Sequence, residues 1–225
     1  MSFNLNDAPA GEAKGGFAFL EPDIYENGSL AEVKKETVPT KGGEEPLALA
    51  FYVADAKGQQ HRHLEFEPSP GTEEKKILNK LARIKHIVRC FDEEEITAID
   101  TGAKTLDFDG FDDLCNWVID KIEATRAETS IDFKIVGNIN NKTGKPFAGF
   151  PGYLGFMCVS GSGDALRFST RELAQNKEYA DAVAASQNTA SDSDLVDQGE
   201  DGGDQDEWLT DESETEKSTE TPTAE

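Results

Sequence analysis

The chain is short of positive charge: 22 Lys and Arg stand against 45 Asp and Glu, for a net charge of −23 over 225 residues. Such a balance normally argues against a nucleic-acid partner. The acidity is unevenly spread, however. Asp181–Glu225 holds fifteen Asp or Glu against Lys217 alone, so it carries −14 and leaves −9 for the first 180 residues. Cysteine is scarce too. Cys90, Cys115 and Cys158 are odd in number, share no CxxC spacing and sit among apolar neighbours, which predicts reduced thiols and excludes a disulfide framework. No apolar run approaches a membrane span, and the opening MSFNLNDAPAGEAKGG has neither the basic region nor the apolar core of a signal peptide. The expectation is a cytoplasmic protein that does not engage a membrane.

The usual catalytic signatures are missing as well. There is no Walker loop, no GxSxG, no Cys/His pair in a catalytic context and no zinc spacing. Asp112 and Asp113 are adjacent on a predicted helix and point apart, so they form no carboxylate dyad. His61 and His63 share a strand face but lack a third ligand, and the reading is of exposed polar residues beside Arg62, facing phosphates with it. No enzyme activity, cofactor or metal is expected.

What the chain does have is Ile131–Val159, IDFKIVGNINNKTGKPFAGFPGYLGFMCV. Ile131, Phe133 and Ile135 alternate with Asp132, Lys134 and Val136, the period of a half-buried strand. NINNKTGKP then reverses the chain and carries Lys142 and Lys145. Phe147, Phe150, Tyr153 and Phe156 follow at intervals of three, but Gly149, Pro151, Gly152 and Gly155 between them exclude a helical stripe. The rings either close the open end of a β core or stand beside the lysines on a projecting hairpin, where bases could stack on them. A mixed assignment follows, with Phe156 and Phe150 inward and Phe147 and Tyr153 nearer the surface.

Upstream, residues 1–16 read as a flexible arm and Phe17–Leu20 as the first apolar cluster, where a short edge strand could begin. Ser29–Val38, with Lys34 and Lys35, and Leu47–Val53 are strands, and DAKG turns the second into Gln59–Glu67 to make an antiparallel hairpin. Thr72 or a neighbour caps a helix whose apolar stripe is Ile77, Leu81, Ile84, Val88 and Phe91. Its other face carries Lys75, Lys76, Lys80, Arg83, Lys85 and Arg89, either as a solvated basic surface or in contact with DNA. A second short helix follows DEEEI, and Asp109–Arg126 is a third, with Phe111, Leu114, Cys115, Val118 and Ile122 on one stripe. Past Val159 a weak helix precedes a region from Ser186 too poor in apolar side chains to offset the entropy of folding.

Three strands, a helical insertion and two more strands are the order of an OB-fold, so the expected class is an α+β, five-stranded Greek-key barrel with helices between strands 3 and 4. Its ligand loops would lie near Lys41–Glu45 and Asn138–Gly152. The domain then runs over 17–180, with a disordered acidic tail over 181–225. The candidate binding residues are Lys34, Lys35, Arg62, Lys134, Lys142, Lys145, Phe147, Phe150 and Tyr153.

The runs LARIKHIVRCFDEEEI, FDDLCNWVIDKI and KPFAGFPGYLGF resemble bacteriophage single-stranded DNA-binding proteins in which a basic helix precedes an OB-type strand pair, over about residues 17–170. The resemblance implies sequence-independent binding of single-stranded DNA during phage replication or recombination, in the cytoplasm of the infected bacterium. It also implies that an acidic tail competes for the groove and recruits replication or recombination proteins. The last residues here are TPTAE, so Trp208 and Leu209 in DEWLTDE would be the apolar hook. A monomer and a homodimer stay open. The rival reading is an acidic protein-interaction or DNA-mimic module.

Overall fold

The computed structural model describes residues 20–39, 43, 45–163 and 165–189. Within them the chain is α+β. Strands β1 (Ile24–Thr37), β2 (Leu47–Ala54) and β3 (Gln60–Phe66) precede helices α1 (Glu74–Arg89), α2 (Glu93–Asp100) and α3 (Phe111–Glu123). Strands β4 (Ile131–Lys134), β5 (Val136–Ile139), β6 (Pro146–Gly149) and β7 (Met157–Val159) and helix α4 (Thr170–Thr189) follow. An antiparallel sheet runs in the order β3-β2-β1-β4-β7, and β5 and β6 form a separate hairpin. The early arm 1–16, Trp208 and Leu209 lie outside the described residues, while 181–189 belong to α4, so the boundary expected at 180/181 falls inside a helix.

Residues 17–19, where a short edge strand is expected to begin, lie outside the described residues, and strand β1 is central. Its first residues pair with β4 and its later ones with β2, and the handover takes place at register shifts between Tyr25 and Gly28 and between Leu30 and Glu32. Gly28 is required there. A Cβ on it would sit 2.6 Å from the Ala54 carbonyl and 2.6 Å from the Phe133 ring. The β2–β3 hairpin forms as the sequence predicts, with Asp55 Oδ1 accepting from the Lys57 and Gln59 amides across the turn.

The sheet does not close into a barrel. β3 and β7 are both edges, and α1 lies across the gap between them. Lys80 Nζ donates to the Phe66 carbonyl on β3 at 2.7 Å, and the His86 ring bonds to the backbone of Met157 on β7. Between these two, Arg83 Nε and Nη2 donate to Glu65 Oε1 at 2.8 and 2.5 Å. The seam that a barrel would seal with a ladder is bridged by side chains of one helix.

That bridging turns α1 away from its expected orientation. The buried stripe is Lys80, Arg83, Ile84, Ile87 and Val88, while Leu81, expected inside, is 40% exposed. The energetics explain the choice. Leaving a leucine partly in water forfeits at most about 1–2 kcal/mol, whereas a buried Glu65 stripped of its guanidinium would cost about 3–5 kcal/mol. Glu65 sits on the inward face of β3 because His61, His63 and Glu65 alternate with Arg62 and Leu64, and that polar row is the one turned in. The two histidines are therefore core residues rather than exposed ones. His63 Nε2 lies 3.0 Å from Glu65 Oε1, and both imidazoles pack against Phe150.

The α3 stripe is as predicted. Phe111, Leu114, Cys115, Val118 and Ile122 are all buried, in one core with Leu49, Phe51 and Val53 of β2 and Ile131 and Phe133 of β4. Cys90, Cys115 and Cys158 form no disulfide.

The buried row makes stability depend on pH. Burial, reinforced by His63, pushes the pKa of His61 from 6.5 down to about 3. The unfolded chain takes up that proton near 6.5 and the fold does not, so stability present above that pH is lost as it falls toward 3. Moving from pH 7 to pH 5 should cost about 2 kcal/mol through His61, with His63, also depressed by burial, acting in the same direction. Denaturant midpoints at the two pH values measure this, and His61→Leu should flatten the difference.

Candidate nucleic-acid interface

The expected two-faced strand is interrupted at Ile135, whose amide bonds to the Asp23 carbonyl at 2.9 Å, and this break sends β5 out of the main sheet. The β5–β6 hairpin it starts has a well-tied tip. Asn140 Oδ1 accepts from the amides of Lys142 and Thr143 at 2.9 and 3.0 Å, and Gly144 supplies the positive φ that closes the turn. Lys142 and Lys145 are exposed on this tip, and half-buried Phe147 lies opposite Asn138 behind it.

Helix α4 packs on the hairpin's base against β5 and β6. Asn176 Oδ1 accepts from the Gly137 amide at 2.8 Å. Tyr179 presses so closely on Gly137 that a Cβ there would stand 2.4 Å from the tyrosine Cβ. At its N-terminus α4 carries a reciprocal cap, the Ser169 amide donating to Glu172 Oε2 and the Glu172 amide to Ser169 Oγ.

Glu172 does more than cap. Lys134 Nζ lies 2.7 Å from Glu172 Oε1 and donates to the Arg167 carbonyl at 3.1 Å. Tyr153 bonds through its hydroxyl to the same carboxylate, and its ring lies under Lys134 Nζ at 5.4 Å from the centroid. Burial raises the Glu172 pKa, but Lys134, Tyr153 and Ser169 together overcome it and hold the carboxyl below its ordinary range. Tyr153 is pushed up to about 12 by burial and by its bond to Glu172. Tyr153 as a residue is 46% exposed, and Leu154, Leu173, Arg167 and Arg171 are also exposed.

A second group of predicted residues meets on the outer face of the main sheet. Lys34 and Arg62 flank Tyr52 of β2: Lys34 Nζ is 4.8 Å from the ring centroid, and the Tyr52 hydroxyl donates to Glu36 Oε1 at 2.5 Å. Glu36 also lies 3.5 Å from Lys34 Nζ and 3.9 Å from Arg62 Nη1, so carboxylate charge offsets this cluster. Lys35 belongs to neither group. It pairs with Asp112 in the first turn of α3 at 2.6 Å.

Two predicted contact residues are interior. Lys134, expected on the solvent face of its strand, is 4% exposed because the Arg167–Glu172 segment covers that face. Phe150 is 8% exposed and stacks on Phe156 with centroids 4.8 Å apart, leaving no open face for a base. Much of the basic face of α1 is also engaged by other groups of the chain. Arg83 pairs with Glu65, Lys80 bonds to Phe66, and Lys85 and Arg89 both bond to Asp100. Sequence reasoning missed Glu172, whose signal was the capping pattern Ser169-x-x-Glu172, and Arg167 and Arg171, which had none.

No protein-family model matches the chain, and no curated protein and no solved structure matches it either.

The contact of α4 with the hairpin can be broken at one atom. Gly137→Ala drives a methyl into the Tyr179 side chain, and relief of that overlap should cost about 1–3 kcal/mol. Hydrogen exchange should quicken over 170–185 while amides of β1–β3 keep their protection.

Proposed function

We propose that the protein binds single-stranded DNA without sequence preference, through the corner that α4 builds against the β5–β6 hairpin. The observation that carries this reading is the exposed Tyr153 ring, tied to the same helix that seats the hairpin bearing Lys142, Lys145 and Phe147. A ring for a base and cations for phosphates, on one continuous element, are what sequence-tolerant strand binding needs. Arg167 and Arg171 extend the positive character beside the ring. Lys134 supports the Tyr153 ring from beneath.

The strand order is in keeping with this reading. The open antiparallel order β3-β2-β1-β4-β7, with α1 across its free edges, would suit an OB-fold opened at one seam, and in that reading the hairpin would stand where a ligand loop does. The role this reading assigns is the coating of exposed strands during phage replication or recombination in the bacterial cytoplasm. The acidic segment beyond α4 would compete for the same corner, and Trp208 and Leu209 within it would engage partner enzymes.

A second reading has its own support. Lys34, Lys35, Lys85, Arg89, Lys104 and Lys121 all pair with carboxylates, which lowers the positive potential of the surface and suits an acidic module that engages a basic protein. A gel shift with a labelled oligonucleotide separates the two, because a DNA mimic leaves the oligonucleotide unshifted.

Tyr153→Ala should weaken oligonucleotide binding by about 1–3 kcal/mol, the worth of one stacked base. Lys142→Ala with Lys145→Ala should flatten the log–log dependence of affinity on salt by about 0.7 for each phosphate that the two ammonium groups neutralise. Truncation after Thr189 should tighten binding, most at low salt, since a tether holds the acidic segment near the corner at up to about millimolar effective concentration.

A further inference from the structure

We propose that Glu172 and Lys134 are positioning residues that lock the Tyr153 ring as a preformed one-sided platform for a single unpaired base. The inference rests on the single-stranded DNA reading and adds to it which residues set the stacking geometry.

The constraints on Tyr153 are unusual for a ring on a glycine-rich loop. Gly152 and Gly155 flank it closely, and Gly155 has φ of 86°, so the backbone alone would let the side chain swing. Two contacts prevent this. The hydroxyl is held by Glu172 and by the Ser169 side chain, which cap each other at the start of α4. One side of the ring is occupied by the Lys134 ammonium, which is anchored in turn by the Arg167 carbonyl and Glu172. The exposure that remains offers a ring surface to a ligand while its hydroxyl and its lysine-facing side are engaged.

The chemistry fits one class of partner. A ring with its polar edge satisfied has a π-surface to offer, and a flat nucleobase without a strand partner is the natural complement. Freezing the ring beforehand removes an ordering cost that a loop tyrosine would otherwise bear on binding. The charges balance without exposing a carboxylate to phosphate, because Glu172 is buried and paired with buried Lys134.

The test is a double-mutant cycle on the full chain, read by oligo(dT) affinity and by the photocross-linking yield of the ring at position 153 to a single bromodeoxyuridine at saturation. Glu172→Gln should lower affinity about threefold to tenfold, the range expected for losing the immobilisation of one side chain, and should lower cross-linking per bound oligonucleotide. Tyr153→Phe should lower both by a similar factor. In the Tyr153→Phe background, Glu172→Gln should then add little, since the bond it disturbs is gone. Equal losses from Glu172→Gln in both backgrounds would mean a purely structural carboxylate and would overturn the proposal. If Glu172→Gln does not fold because Lys134 is left unpaired, Glu172→Asp, which keeps the charge beside Lys134 but shortens the reach to the Tyr153 hydroxyl, replaces it in the cycle and is judged by the same outcomes. Should Tyr153→Ala bind as tightly as the unaltered chain, the platform is refuted while strand binding stands. Failure of the unaltered chain to bind oligo(dT) would refute both.

Discussion

The Arg83–Glu65 ion pair, both partners sealed from water, fixes how α1 is rotated, and much of the molecule follows from that rotation. With Arg83 turned inward, Lys80 reaches the last carbonyl of β3 and His86 reaches the backbone of β7, so a single helix spans the two free edges of the sheet. Exposed edges invite pairing with other chains, and side chains that occupy their carbonyls reduce that hazard. Ile84, Ile87 and Val88 then fill the core beneath, and Leu78 and Leu81 are left outside. Burial alone would raise the Glu65 pKa, but His63 and Arg83 outweigh it, so the carboxyl stays charged where it is most needed.

A second constraint acts at the other end of the sheet. The break at Ile135 turns the chain out of the main sheet, and α4 supports the resulting hairpin through Gly137. The first turn of the same helix supplies Glu172 to Lys134 and Tyr153. Rigidity at the hairpin and at the exposed ring therefore has one source. In the proposed function this matters because a surface assembled before the ligand arrives spends less of its binding energy on ordering.

Much of the fold was legible where one physical rule acted alone. The α3 stripe is apolar at every inward position, and the β2–β3 hairpin combines a strong strand run with a turn at Asp55. Alternation on β3 was also visible, but it does not say which face turns inward, and the rule that charge faces water gave the wrong answer for His61, His63 and Arg83. The same rule misplaced Lys134. The aromatic series shows a different difficulty: residues three apart on an irregular backbone take opposite sides, so Phe150 and Phe156 enter the core while Tyr153 does not. Helix α4 has little amphipathic character and is held mainly by specific contacts from Glu172, Asn176 and Tyr179, which no periodicity announces.

The central claim is that the corner shared by α4, the hairpin and Tyr153 is the surface that meets single-stranded DNA. Hydrogen exchange on the full chain with and without saturating oligo(dT) tests it most directly. The account predicts new protection across 138–154 and the first turns of α4, with the outer face of β1–β3 around Tyr52 unchanged. Protection confined to β1–β3, or none at any segment, would contradict it.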